Sequence, residues 1–317
     1  MDHSVASRLR AMVSSSVLGQ CATSITCRDR SGAAFVLNCG EIGPGETMSE
    51  HTLMYAASLT KQLIGVLLAL NVLEGTMSID DPVRSYLTEL PPWADNILLG
   101  HLAHHTSGLP SDAALRERGT ARCDGWDNRR VLRHLADEIE PAVAPGTALE
   151  YSNLGYICLA EAIERAQGLP ISDVARGRIF DPLRMASSSL SSDPLRHRAG
   201  TPDPPRSQGD GGLWTTAQDL AQFNDAMNAQ LLGPGVKDLV ETPGSLRDGT
   251  PVSYCWGLAA GTTNGGRALH HGGHFPGWTG KTVRMPERHV SVAVLCTSDE
   301  AVAVHQVALG LAALLDA

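Results

Sequence analysis

Residues 57–62 read Ala57-Ser58-Leu59-Thr60-Lys61-Gln62 and run directly into "LIGVLLALNVL" (63–73). That run is apolar nearly all round, which predicts a helix packed between layers rather than an amphipathic surface helix. Gly75 follows as its C-terminal stop. Ser58 and Lys61 then stand at the helix entrance, three residues apart and on one face. The chain has three lysines (Lys61, Lys237 and Lys281) against twenty-two arginines. Placing one of them at the mouth of a buried helix is expensive unless its charge or its lone pair is used.

The rest of the chain frames that helix. Its 317 residues are 43% apolar and 19% charged, enough for two lobes and too apolar for disorder. With aromatics at 4%, the core must be mostly aliphatic. A net charge of −9 without a basic stripe argues against nucleic acid as a partner. No apolar run reaches the length of a membrane span, so no membrane partner is expected. The N-terminal "MDHSVASRLRAMVSSSVLGQ" (1–20) is too polar and broken for a signal peptide. Seven cysteines (21, 27, 39, 123, 158, 255 and 296) form an odd set with no C-x-x-C spacing. Reduced thiols in a cytoplasmic protein are the simpler expectation.

Along the chain, a helix is expected near residues 4–18, then strands in "ATSITCRD" (22–29) and "AAFVLNCGE" (33–41) around the turn Arg30-Ser31-Gly32. Residues 52–190 read as helical, including 153–167, closed by Gly168-Leu169-Pro170. The Pro- and Gly-rich stretch 191–212 reads as a crossing back or as a long loop over a site. Thr216-Ala217-Gln218-Asp219 fits a capping box. Strand-like alternation returns in "RALHHGG" (267–273), "KTVRMP" (281–286) and "HVSVAVLCTS" (289–298), before a last helix within 302–315. The expected class is α+β. Residues 1–52 and 200–317 form an α/β lobe whose antiparallel sheet draws on both chain ends, and 53–199 form an inserted helical lobe.

Three elements carry chemistry. A serine hydroxyl is a weak nucleophile until a base takes its proton, and Lys61 beside Ser58 is a candidate base. Tyr151-Ser152-Asn153 precedes a helix; a tyrosine near a lysine can pass a proton to and from its oxygen, and the asparagine amide can hold a substrate or the lysine head. Asn153 also fits an N-cap. His271-Gly272-Gly273-His274 lies on a predicted strand before Phe275-Pro276-Gly277-Trp278. Its glycines admit close approach, and the backbone N–H of His274 could pair with that of Ser58 as an oxyanion hole. A Gly-rich hairpin turn is the plainer alternative. The register can also begin at His270, although the following Pro-Gly-Trp favours His271. His101, His104, His105, His270, His271 and His274 come with no H-E-x-x-H or cysteine pair, so no metal is expected.

In order, "ASLTK", "YSN" and "HGG" resemble the motifs of the serine β-lactamase and penicillin-recognising enzymes, closest to class C and its esterase relatives. The resemblance extends through "IDDPVRSYL" (79–87), "LAHHTSGLP" (102–110), "PGTALEYSNLGY" (145–156), "IFDPLRMASS" (179–188) and "GGLWTTAQDLAQF" (211–223). It implies a β-lactamase/transpeptidase-like fold with the site between the lobes. It makes Ser58 the nucleophile, Lys61 its activating partner, Tyr151 the general base and Asn153 the substrate-binding amide. His271 stands where β-lactamases place the lysine of a Lys-Thr-Gly triplet, and an imidazole holds a carboxylate less firmly than an ammonium. Lys281-Thr282-Val283 lacks the triplet's glycine.

The expectation is an acyl-transfer enzyme without a cofactor, acting on a small ester or amide through acyl-Ser58. Water, an amine or an alcohol would be the acceptor. Ser58, Lys61, Tyr151 and His271 would be catalytic; Asn153, Gly272, Gly273, His274 and Trp278 would contact the substrate or its oxyanion. The arginine bias suggests a GC-rich genome and a place in antibiotic or other natural-product assembly. The alternatives are a non-catalytic binder or sensor on this fold, and a true β-lactamase or D,D-peptidase.

Overall fold

The computed structural model describes residues 1–119, 125–198 and 200–317; Cys123 lies outside them. Strands β1 (Thr23–Arg28) and β2 (Ala34–Cys39) form a hairpin turned at Gly32. Four later strands complete the sheet: β3 (Ala259–Thr263), β4 (Gly266–Phe275), β5 (Trp278–Met285) and β6 (Val290–Cys296). The order is β3-β4-β5-β6-β1-β2, antiparallel throughout. The β1–β6 pairing, Thr23 opposite Cys296, brings the two ends of the chain into one sheet. β3, "AAGTT", was not expected from sequence, because it lacks the alternation of a half-buried strand.

Helices α1 (His3–Ser14) and α5 (Ala301–Asp316) cover one face of the sheet. Leu9, Val13, Ile25, Val292, Val294 and Leu311 pack together there. On the other face lie α2 (Thr60–Leu73), α3 (Asn153–Gln167) and α4 (Ala217–Asn228), within a larger core that runs through the helical region. Thr216 caps α4 by accepting from the Asp219 amide at 3.1 Å. The Asp219 carboxylate does not complete a capping box; it accepts from the Ser187 amide and the Ser188 hydroxyl.

Helix α2 is the axis of the molecule. Eleven of its fourteen residues are buried, and Leu63, Ile64, Val66, Leu67 and Leu68 each contribute about 1.5–3 kcal/mol by leaving water. Gly65 is required for that packing: a Cβ there would stand 2.2 Å from the carbonyl oxygen of Trp256. Helix α3 ends where Gly168 enters the left-handed region at φ 66°. Among the described residues no helix is long and apolar enough to cross a membrane.

Candidate active site

Ser58 sits in a short 3-10 turn (Ala57–Leu59) that leads into α2. The preceding Ala57 has φ 46°, a left-handed conformation that a side chain disfavours. Such local strain persists where the surrounding packing over-determines it, and functional sites are where it clusters. From the first turn of α2, Lys61 Nζ reaches Ser58 Oγ at 3.1 Å, Asn153 Oδ1 at 2.7 Å and the carbonyl oxygen of Asp210 at 2.9 Å. As an ammonium it has three hydrogens for three acceptors. Of those partners only the Ser58 hydroxyl can also donate. Were Nζ to present a lone pair, only the Ser58 hydroxyl among these partners could donate to it.

Asn153, the first residue of α3, is divided between two partners: its Oδ1 accepts from Lys61 and its Nδ2 donates to Asp112 Oδ2 at 2.7 Å. It is not the N-cap, which is Ser152. Tyr151 lies beyond the helix start and is 40% exposed. Its ring centre is 4.9 Å from Lys61 Nζ and 4.2 Å from the ring of His105.

The strand β4 forms the opposite wall. Gly273 lies against the nucleophile's turn: a Cβ at this position would come within 2.2 Å of the Ala56 oxygen and 3.3 Å of the Ser58 nitrogen. Gly273→Ala should therefore push β4 away from Ser58. A loss of at least about 10²-fold in acylation is expected, on the scale of removing an oxyanion donor; single-turnover kinetics with an activated ester measure it. Gly272 faces the other way, where a Cβ would strike His305 on α5 at 2.3 Å.

The structure decides the histidine register. His271 points toward Lys61 and Tyr151, its ring 6.2 Å from that of Tyr151. His270 points to the opposite face, where its Nδ1 is 3.0 Å from Lys281 Nζ. His271 is buried and committed: Nδ1 donates to the Gly272 oxygen at 2.7 Å, so Nε2 accepts from the Tyr254 hydroxyl at 2.9 Å. Burial, with the Lys61 charge behind it, pushes its pKa well below the usual imidazole range. His271 is thus a neutral ring that ties β4 to Tyr254, and the direct catalytic role expected for it is corrected to one of positioning. Tyr254 carried no motif and was missed in the sequence.

Ser58, Asn153 and His274 line a cleft of about 250 Å³, together with Asp112, Arg116 and Phe275. The 191–212 stretch contributes Pro205, Asp210 and Gly211 to its wall. Beyond His270, β4 has no partner on the β3 side among the described residues, which leaves that edge of 271–275 open. Trp278 is a second correction. It is 1% exposed, packs against the Trp214 ring at 5.7 Å, and belongs to the core rather than to the cleft wall. The large apolar indole is worth more buried beneath the sheet than in a polar cleft.

The other histidines serve the framework. Trp256 Nε1 donates to His104 Nε2 at 3.1 Å, so His104 Nδ1 donates to the Tyr254 oxygen at 2.8 Å. His105 Nδ1 accepts from the Ser152 amide at 3.2 Å. No metal-holding group of His, Cys, Asp or Glu occurs among the described residues. Burial lowers His104, His105 and His271, and holds His270 and His305 at about 4. In the unfolded chain these rings titrate near ~6.5, so between that pH and their folded values the unfolded state binds more protons. Stability is then fully present above about pH 6.5 and is lost as pH falls through that window. Urea titrations at pH 7 and pH 5 should show a clear drop in midpoint at the lower pH.

A family model described as Beta-lactamase matches residues 28–317. Penicillin-binding protein 4* of Bacillus subtilis (strain 168) is 24% identical over 289 residues, which cover 80% of this chain and 62% of that protein. A D-aminopeptidase of Gluconobacter oxydans (strain 621H) is 25% identical over 292 residues, covering 83% of this chain and 55% of its own. The chain thus spans little more than half the length of these curated relatives. The octameric penicillin-binding protein homologue from Pyrococcus abyssi superposes with a TM-score of 0.79 at 23% identity, covering 99% of this chain and 77% of the other. A match over nearly the whole sequence joins a shared fold and a Ser-Lys pair in hydrogen-bond contact, and the chain belongs to the beta-lactamase family.

Proposed function

We propose that this chain is a serine acyl-transfer enzyme that opens small esters or amides through an acyl-Ser58 intermediate. The observation that carries the reading is the set of contacts at Lys61, in which the Ser58 hydroxyl alone can give as well as take a proton. Ser58 Oγ attacks the substrate carbonyl as its proton passes into the Lys61–Tyr151 pair. Backbone N–H groups of Ser58 and His274 receive the oxyanion, in a cleft that both residues line. Tyr151, partly exposed and with its ring centre 4.9 Å from Lys61 Nζ, returns the proton to the leaving group. A binder would gain nothing from a buried lysine held against a serine hydroxyl.

The same cleft bears on the choice of acceptor. Leu115, Phe275 and Pro276 give the cleft apolar walls, and Asp112 and Arg116 give it both signs of charge. An aligned amine or alcohol gains an effective molarity that bulk water lacks. Transfer would suit a cytoplasmic role in natural-product assembly, whereas plain hydrolysis suits an esterase or amidase. The D-aminopeptidase among the relatives adds a substrate class, amides of D-amino acids, whose ammonium group the Asp112 carboxylate complements.

Turnover is expected to rank activated ester first, simple amide second and penicillin-type lactam last. Esters need less leaving-group protonation, and the neutral His271 offers no cation for a lactam's carboxylate. Steady-state kcat/KM across the three classes, with D- and L-amino acid amides compared and graded amine added, tests the reading. Efficient penicillin hydrolysis, or a single labelling event without turnover, would replace it by one of the alternatives. Saturable partition to a new amide would mark transfer.

A further inference from the structure

The apolar wall that Phe275 and Pro276 give the cleft is the tip of the β4–β5 hairpin. Phe275 pairs with Trp278, so the loop is the two residues Pro276-Gly277. Two-residue hairpin loops favour type I′ or II′ turns, which need a positive φ at the first loop residue and whose twist matches the strands. The proline ring holds φ at about −65°, so neither turn is open to Pro276. Gly277 has φ 81°. A negative φ followed by a positive one is the type II turn, whose twist splays the flanking strands. This tip therefore needs a hold from outside the hairpin.

Two segments distant in sequence supply it. Gly277 is buried, so its N–H and C=O both require partners. The N–H donates to Asp299 Oδ1, just beyond β6, at 2.5 Å. The carbonyl oxygen accepts from Arg198 Nη1 at 2.8 Å, and the same nitrogen donates to the Thr297 oxygen at 3.2 Å. A carboxylate on one side and a guanidinium on the other make both bonds charge-assisted. Arg198 is fixed in turn, since its carbonyl oxygen accepts from the Thr201 amide at 3.2 Å and the Thr201 hydroxyl at 2.9 Å. The fit is close: a Cβ on Gly277 would stand 2.5 Å from Thr201 Cγ2 and 2.7 Å from Arg198 Nη1. On the cleft side, the Phe275 ring meets that of Tyr55 edge-on at 6.0 Å. His274 is held separately, by its pairing with Thr279 in the sheet.

We propose that Arg198 is a specificity-determining positioning residue. From the 191–212 stretch it clamps the Pro276-Gly277 turn, with Asp299 opposite, and so sets the wall on which an apolar group of the substrate rests. It touches no reacting atom. The substrate in this assignment rests on the acyl-Ser58 reading, whereas the clamp is a property of the backbone alone. Without Arg198 the tip is free to follow the type II twist, the Phe275–Pro276 wall recedes, and large apolar groups lose their support. A small ester, held by Ser58 and the oxyanion donors, depends little on that wall.

Two ester series read the wall, one enlarging the acyl group from acetyl to phenylacetyl, the other the alcohol from methyl to benzyl. In at least one series Arg198→Ala should raise KM for the large member roughly tenfold, leaving kcat and the small member's KM within about twofold. Arg198→Lys, which keeps a cationic donor, should recover most of the loss. Pro276→Asn gives the loop the Asn-Gly sequence of a type I′ turn; in that background Arg198→Ala should change the KM ratio little. Amide hydrogen exchange reads the clamp without substrate: in Arg198→Ala, peptides covering 275–278 should exchange roughly tenfold faster while β1 is unchanged. Unaltered exchange at 275–278, or a full Arg198→Ala loss in the Pro276→Asn background, would overturn the clamp. Faster exchange with equal KM shifts for small and large esters, or with a fall in kcat alone, would overturn the specificity role. A native chain that turns over no ester would sink the acyl-Ser58 reading instead, and the exchange result would then decide the clamp by itself.

Discussion

Ser58→Ala should lower turnover of an activated ester by roughly 10³–10⁶-fold, the range seen when a nucleophile that works with a base is removed. The loss should appear in kcat, because the variant keeps the cleft that binds the substrate and loses only the atom that forms the acyl-enzyme. Stability should change little. Ser58 is partly exposed, and its hydroxyl is one of three acceptors for Lys61, with Asn153 Oδ1 and the Asp210 oxygen still in place. Intact mass spectrometry after a burst of substrate gives the direct readout: the native chain gains one acyl group and the variant none. An acyl adduct or substantial turnover in Ser58→Ala would remove this residue from the mechanism.

Tyr151→Phe and Lys61→Arg should each lower the acylation rate by about 10²–10⁴-fold, the usual worth of a positioned general acid or base. Arginine keeps the positive charge but stays protonated, so it cannot take the serine's proton. Phenylalanine keeps the ring beside Lys61 and the contact with His105 but loses the oxygen that moves a proton. Because the two side chains work on one proton, their losses should not add, and the double variant should resemble the worse single one. Stopped-flow acylation measures all four states of the cycle. If Tyr151→Phe acylates at the native rate, Lys61 alone is the base, and its contact with Ser58 Oγ at 3.1 Å suits that role.

What the sequence determined by itself was local or periodic. Ser58 and Lys61 are three residues apart, and the backbone of a helical turn brings such side chains together whatever surrounds them; the contact at 3.1 Å is that rule in atoms. The span of α2, the end of α3 at Gly168 and the alternating strands of the last third were legible for the same reason. Tertiary packing decided everything that joins distant segments. Asn153 meets Lys61 across ninety-two residues, and the Asp210 carbonyl meets it across 149. His270 and His271 are indistinguishable as letters, since neighbours on a strand point to opposite faces and only the packing of α2 and α5 says which face is which. Trp278 looked like a cleft wall because it follows the Gly-rich strand, yet the space beneath the sheet beside Trp214 took it. Tyr254, silent in the sequence, closes the site because its hydroxyl fills the remaining acceptor of a buried imidazole. Short-range geometry is written in residue spacing, whereas a partner from elsewhere in the chain is chosen by which buried polar group would otherwise go unsatisfied.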